Sequence, residues 1–197
     1  MRGIIFGVIL LLANFAFADP VIGKLAPSFE VLDINGKEIR LEELRGKYVV
    51  LEWFHPLCPF TGKHYKSNNM QQLQKKYAAK DVVWISIHTD TRGDSADKQI
   101  ASIKGWVQET GSSANFFIND KSASIAKLYT AKVTPHMFVI APDGKLIYAG
   151  AIDDKASAKI NDVDTAKNYV AAALNEAFDG KPVSEPANRP YGCPVKY

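Results

Sequence analysis

Two of the 197 residues are cysteines, Cys58 and Cys193, and their settings differ. Cys58 stands where an apolar run, "YVVLEWF" (48–54), gives way to a helical pattern that begins at Pro59. Proline suits the first helical position, where its missing N–H costs nothing. Cys58 is then the cap, beside unpaired backbone N–H groups and the positive end of the helix dipole. Both effects favour thiolate over thiol. Thiolate is the nucleophile of disulfide and peroxide chemistry, so a reactive thiol is the expectation, against the plainer alternative of a buried, inert cysteine.

The residues around Cys58 divide between chemistry and packing. Thr61 stands where a second cysteine could stand; its hydroxyl could bond the thiolate or bond back to the helix. Phe60 could present the thiol to a partner, but core packing is the expectation. His55 precedes Cys58 by three residues, and His136 follows Pro135. Thiolate and imidazole suit soft metals, yet the expectation is no metal and no cofactor. His88 ends an apolar run and reads as a hydrogen-bonded core residue. Trp53 and Trp84 read as core. The cluster Lys63-His64-Tyr65-Lys66 reads as a solvated helix face whose cations could help ionise Cys58.

These residues need elements to position them. "SFEVLDINGKEIRLEEL" alternates around Asn35-Gly36 and predicts a β-hairpin. Residues 48–54 and "VVWISIHT" (82–89) are near-continuous apolar runs, the mark of strands buried on both faces. The pattern predicts helices over 59–79, 94–110 and 164–178, with a short one over 122–130 that Ser122 could cap. A short strand in 114–120 and a hairpin turning at Asp143-Gly144 complete the set. Strands separated by helices imply parallel pairing through right-handed crossovers. The final hairpin adds antiparallel strands, giving an α/β fold with a mixed central sheet, helices on both faces and an N-terminal β-hairpin extension. After Gly180, "KPVSEPANRPYGCPVKY" carries four prolines and reads as an extended tail, neither helix nor strand.

Composition bounds the setting. Met1-Arg2, the apolar run "IIFGVILLLANFAFA" and the small residues around Ala18 predict a secretory signal peptide over 1–18. The run is short for a membrane span, which takes roughly 20 residues. The expected organisation is signal peptide 1–18, one domain over 19–180, and the tail 181–197 with Cys193. The net charge of +3 is spread among interleaved acids and bases, so no nucleic acid partner is expected, and no membrane after cleavage. The expected location is periplasmic or secreted, where disulfides persist.

"CPFT" at the head of a helix after "VVLEWF" resembles the active-site segment of the thioredoxin superfamily. The downstream block "NDKSASIAKLYTAKVTPHMFVIAPDGKLIYAGAID" resembles its second half, with Thr134-Pro135 matching the cis-proline that helps dock extended thiol substrates. The likeness spans roughly residues 22–178 and implies a thioredoxin-like fold. The nearer likeness is to the redoxin branch, the alkyl hydroperoxide reductase/thiol-specific antioxidant family with its peroxiredoxins. That likeness implies a peroxidatic Cys58, which peroxide would oxidise to sulfenic acid. A resolving cysteine would then condense with it to a disulfide, and a dithiol partner would reduce that disulfide. Two positions depart from the peroxiredoxin pattern. His55 stands where that pattern has Thr or Ser, and "VTPHMFV" lacks its Arg; those groups stabilise the leaving oxygen electrostatically. The thioredoxin pattern is also altered, because Thr61 replaces its second cysteine.

Cys193 supplies the second thiol in either case. An extended tail from Gly180 reaches about 45 Å, enough to meet Cys58 in its own chain or across a homodimer. The alternatives are a permanent structural disulfide or an idle thiol. The reading is thus an antioxidant, peroxiredoxin-like thiol oxidoreductase with Cys58, Cys193, Thr61 and Pro135 catalytic. Pro59, Phe60, Thr134 and His55 contact substrate, either a peroxide or a protein disulfide, and a reducing dithiol is the second partner. The alternatives are a protein thiol–disulfide exchanger and, from another class, a soft-metal (copper) chaperone.

Overall fold

A computed structural model describes residues 20–197, so the signal-peptide expectation lies outside the described residues. Chain order is β1 (Glu30–Leu32), β2 (Glu38–Arg40), β3 (Val49–Phe54), α1 (Pro59–Lys66), α2 (Asn69–Ala78), β4 (Val83–His88), α3 (Ala96–Thr110) and β5 (Phe116–Asn119). Then come α4 (Ser124–Leu128), β6 (Val133–Thr134), β7 (His136–Ile140), β8 (Leu146–Gly150), α5 (Tyr169–Phe178) and β9 (Cys193–Pro194). The central sheet runs β5-β4-β3-β7-β8. β3, β4 and β5 are parallel, and β7 and β8 add antiparallel. This is the mixed sheet the sequence predicts. The N-terminal hairpin is also present, its turn held by the Asp33 carboxylate, which accepts from the N–H groups of Asn35 and Lys37 at 2.8 Å each.

Alternation along β3 sends Val49, Leu51 and Trp53 to one core and Val50 and Phe54 to the other. The first core is closed by the N-terminal hairpin and α4, the second by α2, α3 and α5. Glu52 points toward the second core and is fully buried. Among the described residues, no helix is long and apolar enough to cross a membrane.

Three local expectations are corrected. The helix over 59–79 is two helices, broken where Asn68 adopts a left-handed φ of 60°. Ser67, Asn68 and Asn69 compete for backbone hydrogen bonds, and Asn tolerates that conformation. α4 is capped mainly from Asp120, whose carboxylate accepts from the N–H groups of Ile125 (3.3 Å) and Ala126 (2.8 Å), while Ser122 Oγ takes only the Ser124 N–H at 3.3 Å. The closing helix begins at Tyr169 rather than Asp164, because the Asn168 side chain accepts from Ala171 N–H at 2.8 Å.

The tail is the largest departure. It is docked along much of its length. Ala187 bridges Ala149 beside β8, and Asn188 accepts from Ala151 N–H at 2.7 Å. Cys193–Pro194 then forms β9, an antiparallel partner of β6. Val195 donates to the Lys132 carbonyl at 3.0 Å and is buried in the first core. Four prolines argue against an interior strand, but an added edge strand needs few of its own N–H groups.

Candidate active site

Cys58 caps α1 in extended conformation, and Pro59 occupies the first helical position. β3 ends four residues earlier, so the thiol sits at the strand-to-helix junction beneath the exposed Leu57. Cys58 itself is buried. As a thiol, its Sγ donates to the Thr134 carbonyl at 3.0 Å. Thr134 precedes Pro135 through a cis peptide bond, as the superfamily likeness implies.

Thr134 also pairs with Cys193 in the β6–β9 bridge, so the two cysteines meet within one chain. Both are free thiols. Burial pushes the Cys58 thiol up, but hydrogen bonds oppose it. The Cys193 thiol, the Thr134 hydroxyl and the backbone N–H groups of Thr61 and Cys193 together bring it below the usual thiol value. Cys193 moves the other way. Burial, its hydrogen bond to Cys58 and the charge of Cys58 push it up to about 12. The pair is therefore ordered: Cys58 is the more readily ionised of the two, and Cys193 is the thiol that donates to it once it is a thiolate.

The remaining sequence candidates take distinct positions. Thr61 contributes its backbone N–H; its buried hydroxyl finds no hydrogen-bond partner among the described residues. Pro59 is exposed beside the thiol. Phe60 is half-buried and meets the tail rather than the core, its ring edge-on to Tyr191 at 5.9 Å. His55 accepts from Leu57 N–H through Nδ1 at 3.1 Å, which turns Nε2 toward Asp90, 3.6 Å away. Burial, then the nearby Lys196 ammonium, lower its pKa despite Asp90, so it is neutral at pH 7. His136 is buried against Phe138, and His88 hydrogen-bonds Asn119 at 3.4 Å, as expected of a core residue. Among the described residues, no cluster of three or more His, Cys, Asp or Glu is placed to hold a metal ion.

The Lys63-His64-Tyr65 segment is not a solvated face. All three side chains are buried, and only Lys66 of the four is exposed. The Lys63 ammonium donates to Asp153 (3.1 Å), to the Lys155 carbonyl (2.8 Å) and to the Tyr191 hydroxyl (3.0 Å). Tyr191 in turn hydrogen-bonds Asp153. This network ties the tail to α1 two residues before Cys193. Tyr65 reaches Glu52 at 2.9 Å, and Trp84 Nε1 and Ser86 Oγ donate to the same carboxyl at 2.8 and 3.0 Å. Burial raises the Glu52 pKa in spite of these donors. Sequence reading passed over Glu52, although one acid inside "YVVLEWF" was its signal. Lys63, Asp153 and Tyr191 carried no such signal, because their partners lie 38 to 128 positions apart.

Gly192 is a further site residue. Its φ is +139°, and a Cβ there would lie 2.0 Å from the Thr134 carbonyl oxygen. The close approach of β9 to β6 at Cys193 thus requires glycine.

Comparison with known proteins agrees with this geometry. The thiol-disulfide oxidoreductase ResA of Bacillus anthracis is 33% identical over 126 residues, covering 64% of this chain and 67% of that protein. The ResA of Bacillus subtilis is 26% identical, covering 64% of each. Among solved structures, an uncharacterized conserved protein from Geobacillus kaustophilus superposes with a TM-score of 0.74 at 24% identity, over 90% of this chain and 92% of its own. A hypothetical protein from Sinorhizobium meliloti gives 0.75 at 20% identity, over 91% and 96%. The AhpC/TSA family model matches residues 22–149, from the N-terminal lead-in through Cys58 and cis-Pro135 to β8. The chain belongs to the AhpC/TSA family, in the redoxin branch of the thioredoxin superfamily.

Proposed function

We propose that the protein is a thiol–disulfide oxidoreductase that exchanges disulfides with other proteins. Cys58 is the nucleophile and Cys193 the resolving thiol. The observation that carries this is the ordered pair: β9 pairs with β6, the strand that precedes cis-Pro135, and so sets the Cys193 thiol as a donor to Cys58, the more readily ionised of the two. The Cys58 thiolate attacks one sulfur of a substrate disulfide, forming a mixed disulfide and releasing the other substrate sulfur as a thiolate. Cys193 loses its proton and attacks Cys58. The Cys58–Cys193 bond forms, and the substrate leaves with both sulfurs reduced. The two electrons return from a dithiol partner by the reverse route. Thr61 contributes its N–H to the thiolate, and Thr134, Pro135, Pro59, Phe60 and His55 surround it. The predicted leader would put this chemistry in the periplasm or outside the cell.

This orders the alternatives differently from the motif likeness, which puts peroxide first. The named relatives are thiol-disulfide oxidoreductases, which favours protein disulfides. The family match keeps peroxidase activity as a second reading. In that reading peroxide oxidises Cys58 to the sulfenic acid with loss of the leaving oxygen as water or alcohol, and Cys193 then displaces water to give the same disulfide. The neutral His55 where that family's hydroxyl stands offers little to a developing oxyanion.

The test mixes reduced Cys193→Ser protein with a disulfide-bearing protein and, separately, with one equivalent of hydrogen peroxide. Mixed disulfides through Cys58 are expected in the first arm. Their absence, together with rapid sulfenate formation in the second, would transfer the assignment to a peroxidase.

A further inference from the structure

β9 fills the edge of β6 as a substrate segment would. Cys193 lies opposite Thr134, its backbone N–H and thiol both donate to Cys58, and Val195 is buried in the first core. Lys196 bridges Asp90, Thr91 N–H donates to the Lys196 carbonyl at 2.9 Å, and Tyr197 donates to the Ala126 carbonyl at 3.2 Å. The side on which an extended thiol segment could pair with β6 is therefore already taken, by a segment that itself carries a cysteine.

We propose that the tail is a built-in occupant of the substrate groove, and that protein partners enter by strand exchange. An extended partner segment displaces β9 and pairs with β6 in the same register. The tail's return delivers Cys193 to Cys58 and expels the reduced partner. The inference rests on the exchange reading above and adds a substrate class to it. A segment in this register meets the same walls as the tail, so the residue before its cysteine must be glycine, since a Cβ there would meet the Thr134 carbonyl at 2.0 Å. The second residue after the cysteine fills the Val195 site and is a small branched apolar residue. The preferred partner motif is Gly-Cys-x-Val, with any residue at x.

The test uses full-length Cys193→Ser protein and two heptapeptides, Tyr-Gly-Cys-Pro-Val-Lys-Tyr and its Gly→Ala form. Each cysteine is carried as a mixed disulfide with thionitrobenzoate. Cys58 attacks the peptide sulfur, forms the Cys58–peptide disulfide and expels coloured thionitrobenzoate. The glycine peptide is expected to react about tenfold faster than the alanine peptide. Adding Gly192→Ala to the protein ejects the tail and should accelerate the glycine peptide by about the same factor. If that variant loses its native circular dichroism, Tyr197→Phe, which frees the chain end from α4, replaces it. Equal rates for the two peptides overturn the motif. An unchanged rate when the tail is loosened overturns the occupancy. Ellman's reagent separates the layers: normal reaction with it, without peptide preference, removes this inference alone. No reaction of Cys58 even with Ellman's reagent removes the exchange reading and the inference with it.

Discussion

Thr134 and Cys193 face each other across the β6–β9 bridge, and the Thr134 carbonyl also accepts from Cys58 Sγ at 3.0 Å. One peptide unit thereby collects a thiol from the head of α1 and a thiol from the chain's end. Because the meeting is within one chain, oxidation should give an intrachain Cys58–Cys193 disulfide. Non-reducing electrophoresis is expected to show monomer at all protein concentrations, and peptide mass mapping the 58–193 pair. A disulfide-linked dimer as the main product would contradict this.

The Cys193 thiol is one of the donors that hold Cys58 below the usual thiol value. Cys193→Ala removes that donor, so the Cys58 pKa should rise and its alkylation at pH 7 should slow. Cys193→Ser retains a hydroxyl donor and should fall between the alanine variant and the parent. Ultraviolet thiolate absorbance followed against pH reads this order directly. An alanine variant that titrates with the parent would show that the backbone N–H groups of Thr61 and Cys193 suffice.

Tyr191 fastens the tail to α1. Its hydroxyl meets Lys63 at 3.0 Å and Asp153. Tyr191→Phe should cost about 1.5–3 kcal/mol, the ordinary worth of a hydrogen bond to charged groups. The loss should concentrate in the tail, so hydrogen exchange at Val195 N–H should quicken more than exchange in β3. Uniform acceleration across the sheet would place the effect elsewhere.

Asp153 carries a larger consequence, because Lys63 is fully buried beside it. Asp153→Ala leaves a buried ammonium without its counter-charge, at about 3–5 kcal/mol. Chemical denaturation should show that loss, and Lys63→Met combined with Asp153→Ala should recover much of it.

Glu52 sets a pH dependence. Burial, against the donors Trp84, Tyr65, Ser86 and Gln74, raises its carboxyl above the ordinary value. A raised acid holds its proton more tightly folded than unfolded. Its contribution is therefore complete below the unfolded pKa and is lost as pH rises through the folded one. Glu52→Gln cannot ionise, so its urea midpoint should fall less than the parent's as pH climbs from the carboxylate range toward neutrality. Parallel pH profiles for the two proteins would rule Glu52 out as the source.

Local signals determined a good deal. The apolar runs of β3 and β4, the Asn35-Gly36 and Asp143-Gly144 turns and the Cys58-Pro59 junction are short-range features, each specified by adjacent residues, and their order was enough to imply the mixed sheet. They also located Cys58 as a helix cap, while Pro135 as its companion followed from the resemblance to the thioredoxin superfamily. The tertiary structure decided what depends on residues remote in sequence. The tail's prolines describe an unpaired chain until β6 offers an edge and Gly192 permits the approach. Lys63 reads as solvent-facing until Asp153 and Tyr191 arrive from the far end of the chain. The helix-cap position already marked Cys58 as the more acidic thiol, but the donors that lower it further, from Cys193 and Thr134, exist only once those residues are folded against it.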